Sequence, residues 1–189
     1  MLLDLIRKNR SYRRFDNSHK LTRTCLEGLV EAARLSASAA NLQVLRFFLA
    51  CEEKDLQSVF PHLKWAGYMP EWDGPTPAEQ PTGYIVILSP PGASKYQLLD
   101  TGIVSQSILL AATEQGLGGC MFASFQPEAL HKALMLPPDY EIVLVIALGK
   151  PAETVQIDPV DASGNIKYHR DTNGIHHVPK RALKDILLN

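Results

Sequence analysis

The sequence predicts a compact unit that interleaves helices with strands. Several segments repeat apolar residues at helical spacing, while residues 84–89 and 142–148 are short apolar runs of strand length. At 189 residues, with 46% hydrophobic and 21% charged residues, the chain suits one domain with a proper core and matches ordinary soluble proteins.

In chain order, Leu2, Leu3, Leu5 and Ile6 fall at helical spacing and predict a short first helix. It delivers Arg10-Ser11-Tyr12-Arg13-Arg14-Phe15, in which three guanidinium groups lie within five residues. Each guanidinium is permanently charged and planar, and grips a phosphate or a carbonyl edge through paired N–H groups, with Ser11 adding a neutral donor. This is anion-binding chemistry, weighed against the plainer reading of a solvated basic turn. The dipole at this helix end opposes an anion, so side chains must hold it.

Thr24 and Glu27 have the form of a capping box, and Leu26, Leu29, Val30 and Ala33 make the apolar face of a helix running to about Leu35. Residues 36–43 are small and end in the amides Asn41 and Gln43: either an ordinary polar loop or a surface that lets a flat ligand approach the backbone. Residues 46–51 read as a strand and Glu53–Val59 as a short helix. From 61 to 81 the chain carries five prolines, both tryptophans and Tyr68, a composition for an ordered aromatic lid or for packing over a core edge or a partner subunit.

Residues 84–89 form a buried-type strand, and 98–115 a long helix with an apolar band through Ile103, Ile108, Leu109 and Ala112. Gly116-Leu117-Gly118-Gly119 follows a helix instead of opening one, so it fails as a dinucleotide fingerprint and reads as a helix C-cap with close packing. Pro127 begins a helix through Leu134, and 142–148 is a central strand ended by Gly149-Lys150-Pro151. Residues 165–168 and 175–178 flank Asp171-Thr172-Asn173-Gly174, a hairpin turn. Lys180-Arg181 is a second cationic pair, ahead of a terminal amphipathic helix carrying Leu183, Ile186 and Leu187.

A net charge of -1 exerts no general pull toward nucleic acid or an anionic membrane. The longest apolar run, 142–148, is far short of a bilayer span, and no charged stretch precedes an apolar signal region, so the expected location is cytoplasmic. Cys25, Cys51 and Cys120 are odd in number and widely separated, which supports neither a disulfide framework nor a zinc site. His176 and His177 are adjacent and face opposite sides of a strand, against a shared metal. There is no GxSxG, HExxH or P-loop. Two basic clusters, a small-residue loop and an aromatic insert remain, and together they describe a site for a planar, phosphorylated cofactor.

Those residues carry a family resemblance. Arg10-Ser11-Tyr12-Arg13, the 36–43 loop, Asp100-Thr101-Gly102 with Gly116-Leu117-Gly118, and Leu148-Gly149-Lys150-Pro151 occur in an order that resembles the nitroreductase family of FMN-dependent oxidoreductases. The resemblance covers nearly the whole chain. It implies an α+β fold, a nitroreductase-like three-layer α/β/α sandwich with a central, mostly antiparallel sheet, as an obligate homodimer with exchanged terminal segments and the flavin site at the subunit interface. The whole of 1–189 is then a single FMN-binding domain, with 61–81 an aromatic and proline-rich insert and 156–189 a C-terminal hairpin and helix extension.

By the same resemblance Arg10, Ser11 and Arg13 match the N-terminal flavin-binding run, Arg10 toward the phosphate and Arg13 toward the N1/O2 edge of the ring. Ser38, Asn41 and Gln43 match the loop along the flavin, contributed by the other subunit. Ala123 and Ser124 match the place where backbone groups meet N5, and Lys180 and Arg181 match the C-terminal phosphate clamp. Trp65, Tyr68 and Trp72 resemble a cover over the flavin face and are substrate-lid candidates. Ala37 and Val44 stand where members commonly carry proline, and no acidic residue lies beside Ala123.

The activity this implies is ping-pong hydride transfer from NAD(P)H through flavin N5 to a nitroaromatic, quinone or similar electron-poor acceptor, with no catalytic side chain nominated because the cofactor carries the chemistry. Dehalogenation, desaturation or flavin fragmentation on one metabolite is the alternative within the fold. A flavin-binding redox protein without turnover, or an anion-binding module without flavin, are the alternatives outside it.

Overall fold

The computed structural model describes residues 1–92 and 94–188. Its centre is the pair β2 (Gly83–Ser89) and β4 (Glu141–Gly149), flanked by β1 (Arg46–Ala50) and β3 (Gly118–Phe122). The order is β1-β2-β4-β3 and every neighbouring pair is antiparallel.

Successive side chains of a strand point to opposite faces, and here both faces are covered. Tyr84, Val86 and Leu88 of β2 join Val145 and Ala147 of β4 in packing against α3 (Glu53–Val59) and α5 (Pro127–Ala133). Ile85, Ile87, Ile146 and Leu148 pack on the other side against α2 (Arg23–Arg34) and α4 (Lys95–Glu114). This is the expected three-layer α/β/α arrangement, and it explains why every residue of β2 is buried. Each large aliphatic side chain so covered contributes about 1.5–3 kcal/mol.

Four local expectations are corrected. Thr22, not Thr24, caps α2: its hydroxyl accepts from Cys25 N at 3.2 Å, while Glu27 turns outward to pair with Arg23 at 2.9 Å. The long helix begins earlier, because Ser94 and Gln97 form the capping box at its start. Its buried face runs through Thr101, Val104, Ser105, Ile108, Leu109 and Ala112, so Ile103 falls off the band and is 43% exposed. Among the described residues after Arg181 there is only a turn of 3-10 helix, Leu183–Asp185, with Leu183, Ile186 and Leu187 exposed. A short amphipathic segment that packs on no surface of its own chain does not propagate a helix.

The C-terminal extension makes a second sheet in which β7 (His176–Lys180) lies between β5 (Val155–Pro159), parallel to it, and β6 (His169–Arg170), antiparallel to it. The hairpin turn is where the sequence puts it: Asp171 Oδ1 accepts from Asn173 N and Ile175 N, and Gly174 has φ 81°. Its first arm is shorter than 165–168 suggests and lies later, at His169–Arg170. α1 (Leu2–Lys8) packs beside α4 yet has no buried residue, leaving Leu2, Leu3 and Ile6 exposed. Among the described residues no helix is long and apolar enough to cross a membrane.

Candidate functional site

The arginine run is an extended arm stitched to the edge of the central sheet. Tyr12 N donates to Gly119 O at 3.0 Å, Ser11 bridges Gly119, Phe15 N donates to Glu79 O at 2.9 Å, and Ala152 N donates to Arg14 O at 3.0 Å. Two glycines make this approach feasible. A Cβ on Gly118 would stand 2.5 Å from the Tyr12 ring, and one on Gly149 would stand 2.8 Å from the ring of the fully buried Phe15. The glycines of both motifs therefore serve close packing, and with Tyr12 seated against Gly118 the alternation of an extended chain presents its neighbours Ser11 and Arg13 on the other side.

Glu153 fixes that arm from the C-terminal side. Its carboxylate, 2% exposed, accepts from the backbone N–H groups of Arg13 and Arg14 at 2.5 and 3.1 Å and from Arg170 Nη2 at 2.7 Å. Charge-assisted bonds of this kind are roughly twice as strong as neutral ones.

Arg10, Ser11, Arg13 and Lys180 then converge on one cavity of about 290 Å³, completed by Asn9, Gln106, Leu109, Met121, Tyr168, His176 and Val178. Three cations line it, and among the described residues no carboxylate does. Arg10 Nη2 donates to Ile6 O at 2.7 Å, but Arg10 Nε is buried and has no partner. A buried donor left unpaired costs about 1–3 kcal/mol, so this atom fits an acceptor arriving with a ligand. Burial raises the Tyr12 phenol and the Cys120 thiol above their ordinary pKa values, the latter despite the opposing influence of Arg13 and Ser11. Both stay neutral, and the net positive charge of the cavity is left to its arginines and Lys180.

A smaller cavity of about 130 Å³ shares Arg13, Met121 and Tyr168 with the first and is bounded by Ala123 and Ser124. Ser124 O accepts from Lys64 N at 3.0 Å, which ties this segment to the aromatic insert. The lid candidates have separate surroundings. Trp65 packs edge-on against Phe122 at 4.7 Å and Trp72 at 6.1 Å, within the core border. Trp72 also lies under the Arg170 guanidinium at 4.8 Å. Tyr68 is half-exposed and faces Tyr168 at 5.0 Å.

The 36–43 loop is not brought to this cavity in its own chain. Ser38 and Gln43 line a different groove of about 400 Å³ between α2, β1 and α4, and Asn41 is exposed. The loop is held by Asp100, 4% exposed, which accepts from Ser38 Oγ at 2.7 Å and Ala39 N at 3.0 Å. Ala40, Asn41 and Gln43 all have φ near +50°, a left-handed conformation that costs about 1–2 kcal/mol in a residue with a Cβ. Arg181 is exposed and does not line the cavity with Lys180.

Gln106, Met121, Tyr168, His176 and the anchoring Glu153 were not candidates on sequence grounds. They come from four separate segments, and the only available signal was the adjacency of His176 and His177 on opposite faces of one strand.

Comparison with known proteins agrees with the fold. A sequence model of the Nitroreductase family matches residues 6–150. Protein DrgA of Synechocystis is 24% identical over 176 residues, spanning 79% of this chain and 84% of its own. A Bacteroides thetaiotaomicron structure described as an NADH dehydrogenase/NAD(P)H nitroreductase superposes with a TM-score of 0.65 at 24% identity, covering 81% of this chain and 88% of its own. An Exiguobacterium sibiricum nitroreductase solved in complex with FMN superposes with a TM-score of 0.68 at 16% identity, covering 81% and 89%. With the family matched over more than half its length, and with that family's fold, this chain belongs to the Nitroreductase family.

Proposed function

We propose that the protein is an FMN-dependent oxidoreductase that transfers a hydride from NAD(P)H to nitroaromatic, quinone or similar electron-poor acceptors by a ping-pong mechanism. The observation that carries this reading is the cavity walled by Arg10, Arg13 and Lys180, free of carboxylates among the described residues, into which the family's cofactor brings the acceptor that the buried Arg10 Nε lacks. When bound, flavin mononucleotide supplies hydride acceptance and donation at its N5.

The protein's own part is binding, orientation and electrostatics. Arg10, Ser11 and Lys180 hold the phosphate, with Arg181 on the exposed rim. Arg13, its backbone locked by Glu153, sets positive charge beside the ring, which favours an electron-rich ligand. Ala123 and Ser124 offer backbone groups at the neighbouring cavity. The aromatic insert of Trp65, Tyr68 and Trp72 shields the site from water on one side, with Tyr68 the exposed member.

The same reading makes residues 1–189 one flavin-binding domain that works as a homodimer in the cytoplasm. Ser38, Asn41 and Gln43 are directed away from their own chain's cavity and are assigned to the partner's. Exposed apolar residues on α1, on α4 (Leu98, Leu99, Ile103) and at the C-terminus (Leu183, Ile186, Leu187) are the surfaces for a second copy.

The test is the visible absorption spectrum of the purified protein before and after anaerobic addition of NADH and then NADPH. Flavin bands that bleach support the assignment. A colourless protein that cannot be reconstituted with FMN overturns it.

A further inference from the structure

The family match ends at residue 150, yet one wall of the cationic cavity comes from beyond it. His176, Val178 and Lys180 alternate along β7, and all three line the cavity, as residues i, i+2 and i+4 of one strand face should. His177, between them, points the other way and is engaged by Asp158 at 2.7 Å and Asp171 at 3.6 Å.

His176 is the anomaly on this wall. It is 1% exposed, and neither Nδ1 nor Nε2 has a hydrogen-bond partner. Its ring stacks on Tyr168 at 5.3 Å, while the Arg13 guanidinium lies over the other partner of that stack, 4.8 Å from the Tyr168 ring. Glu153, the nearest carboxylate, is 3.9 Å from Nδ1, too far for a hydrogen bond, and is already committed to Arg13, Arg14 and Arg170. A buried imidazole with two idle nitrogens is costly, and buried polar groups normally find partners. Here the partner has to come from within the cavity.

The position on the strand says which part of a ligand it meets. Four residues of extended chain separate His176 from Lys180, about 13 Å at the rise of a strand. Lys180 is exposed at the open end, whereas His176 is buried beside Arg13 and Tyr168, which also border the Ala123 cavity. A phosphate cannot span that distance, but a phosphate joined to a ring by a polyol chain can.

Resting on the flavin reading above, we propose that His176 is a binding residue for the uncharged, ring-side part of the cofactor, its ribityl hydroxyls or pyrimidine edge, while Lys180 on the same strand face takes the phosphate. A neutral imidazole suits the task because it offers one donor and one acceptor. Burial, reinforced by Arg13, Arg170 and His169 and opposed by Glu153, holds the His176 pKa well below its ordinary value and so keeps it neutral. The extension outside the family match thus completes the site in its own chain.

The experiment titrates the full-length apoprotein with FMN and with riboflavin, which lacks the phosphate, following the quenching of flavin fluorescence. His176→Phe keeps the aromatic stack and is expected to weaken both ligands about tenfold, the value of one hydrogen bond to a buried group. Lys180→Ala is expected to weaken FMN and leave riboflavin unchanged. If His176→Phe alters neither affinity, or that of FMN alone, the proposal is wrong. Should the Phe variant fail to fold, the wild type decides. The His176 ring-nitrogen NMR resonances must shift on addition of riboflavin, and resonances that stay in place overturn the assignment. A wild type that binds neither ligand removes the flavin reading itself, whereas binding with an indifferent His176 removes only this inference.

Discussion

Replacing Glu153 by alanine tests how the arginine arm is held. The carboxylate is 2% exposed and takes three donors: the backbone N–H groups of Arg13 and Arg14 and the Arg170 guanidinium, whose side chain is 12% exposed. Removing it leaves Arg170 a largely buried cation against the Trp72 face without its carboxylate, and leaves two backbone donors without their acceptor. Breaking a buried pair by deleting one partner costs about 3–5 kcal/mol, and the three bonds are too closely linked for their values to be summed. Against a typical stability of about 5–15 kcal/mol this is a large fraction. Equilibrium urea unfolding should show Glu153→Ala destabilised by about 3–5 kcal/mol. Glu153→Gln, which keeps an acceptor oxygen for the backbone groups, should lose less. Under conditions where both variants remain folded, the alanine variant should also bind FMN more weakly, because the Arg13 backbone is no longer fixed. A Glu153→Ala protein within 1 kcal/mol of wild type would refute the anchoring role (a loss that small is what ordinary surface substitutions give).

Three further outcomes follow from the same geometry. Arg10→Ala should weaken FMN binding by about 1.5–3 kcal/mol, the range for a hydrogen bond to a charged group, and unchanged affinity in a fluorescence titration removes Arg10 from the phosphate site. Gly118→Ala drives a Cβ to within 2.5 Å of the Tyr12 ring and 2.8 Å of Pro151, so urea unfolding should register a loss of about 1–3 kcal/mol, and no loss would mean that the arm yields freely. The adjacent histidines should titrate in opposite directions. The Asp158 hydrogen bond raises the His177 pKa, so its contribution to the C-terminal sheet is complete below about pH 6.5 and fades as pH rises through the raised value. Burial lowers that of His176, so its effect is the reverse: stability is lost as pH falls below about 6.5, where the unfolded chain takes up a proton that the folded one refuses. Histidine NMR at pH 6 should find His177 largely protonated and His176 neutral, and two histidines titrating together would contradict both environments.

The sheet was legible because its strands are covered on both faces. A run such as residues 84–88 is then apolar throughout, and no register or partner has to be known to recognise it. The short helix Glu53–Val59 was legible for its own reason, its Leu56 and Val59 lying one turn apart. β5 was missed although Val155, Gln156, Ile157 and Asp158 alternate apolar with polar residues, because so short a run closed by Pro159 does not single out a strand. Ile103 misled because spacing alone does not say which side of a long helix meets the sheet, and the true face carries Thr101 and Ser105, whose hydroxyls bond the helix's own carbonyls at Gln97 and Thr101. The terminal helix misled because amphipathic spacing shows that a face exists, not that a surface is there to receive it.

The site divides along a similar line. Arg10, Ser11, Arg13 and Lys180, named from two short cationic runs of the sequence, line one cavity in which no carboxylate takes part among the described residues. The groups that shape the cavity are different in kind. Glu153 and His176 carry no local signature, since one lies between a proline and a polar strand and the other beside a second histidine. Both matter only through chain pairings made over long separations: Glu153 reaches back 140 residues to Arg13, and His176 N donates to Thr154 O at 2.9 Å, just after that anchor. That last bond couples the two. The strand presenting His176 and Lys180 to the cavity begins where Glu153 grips the arginine arm, so the cationic side chains from both chain ends share a single anchor. The two halves of the cationic wall should therefore fail together when Glu153 is removed. Loss of FMN affinity in Glu153→Ala should exceed that of Lys180→Ala, although Glu153 does not itself line the cavity.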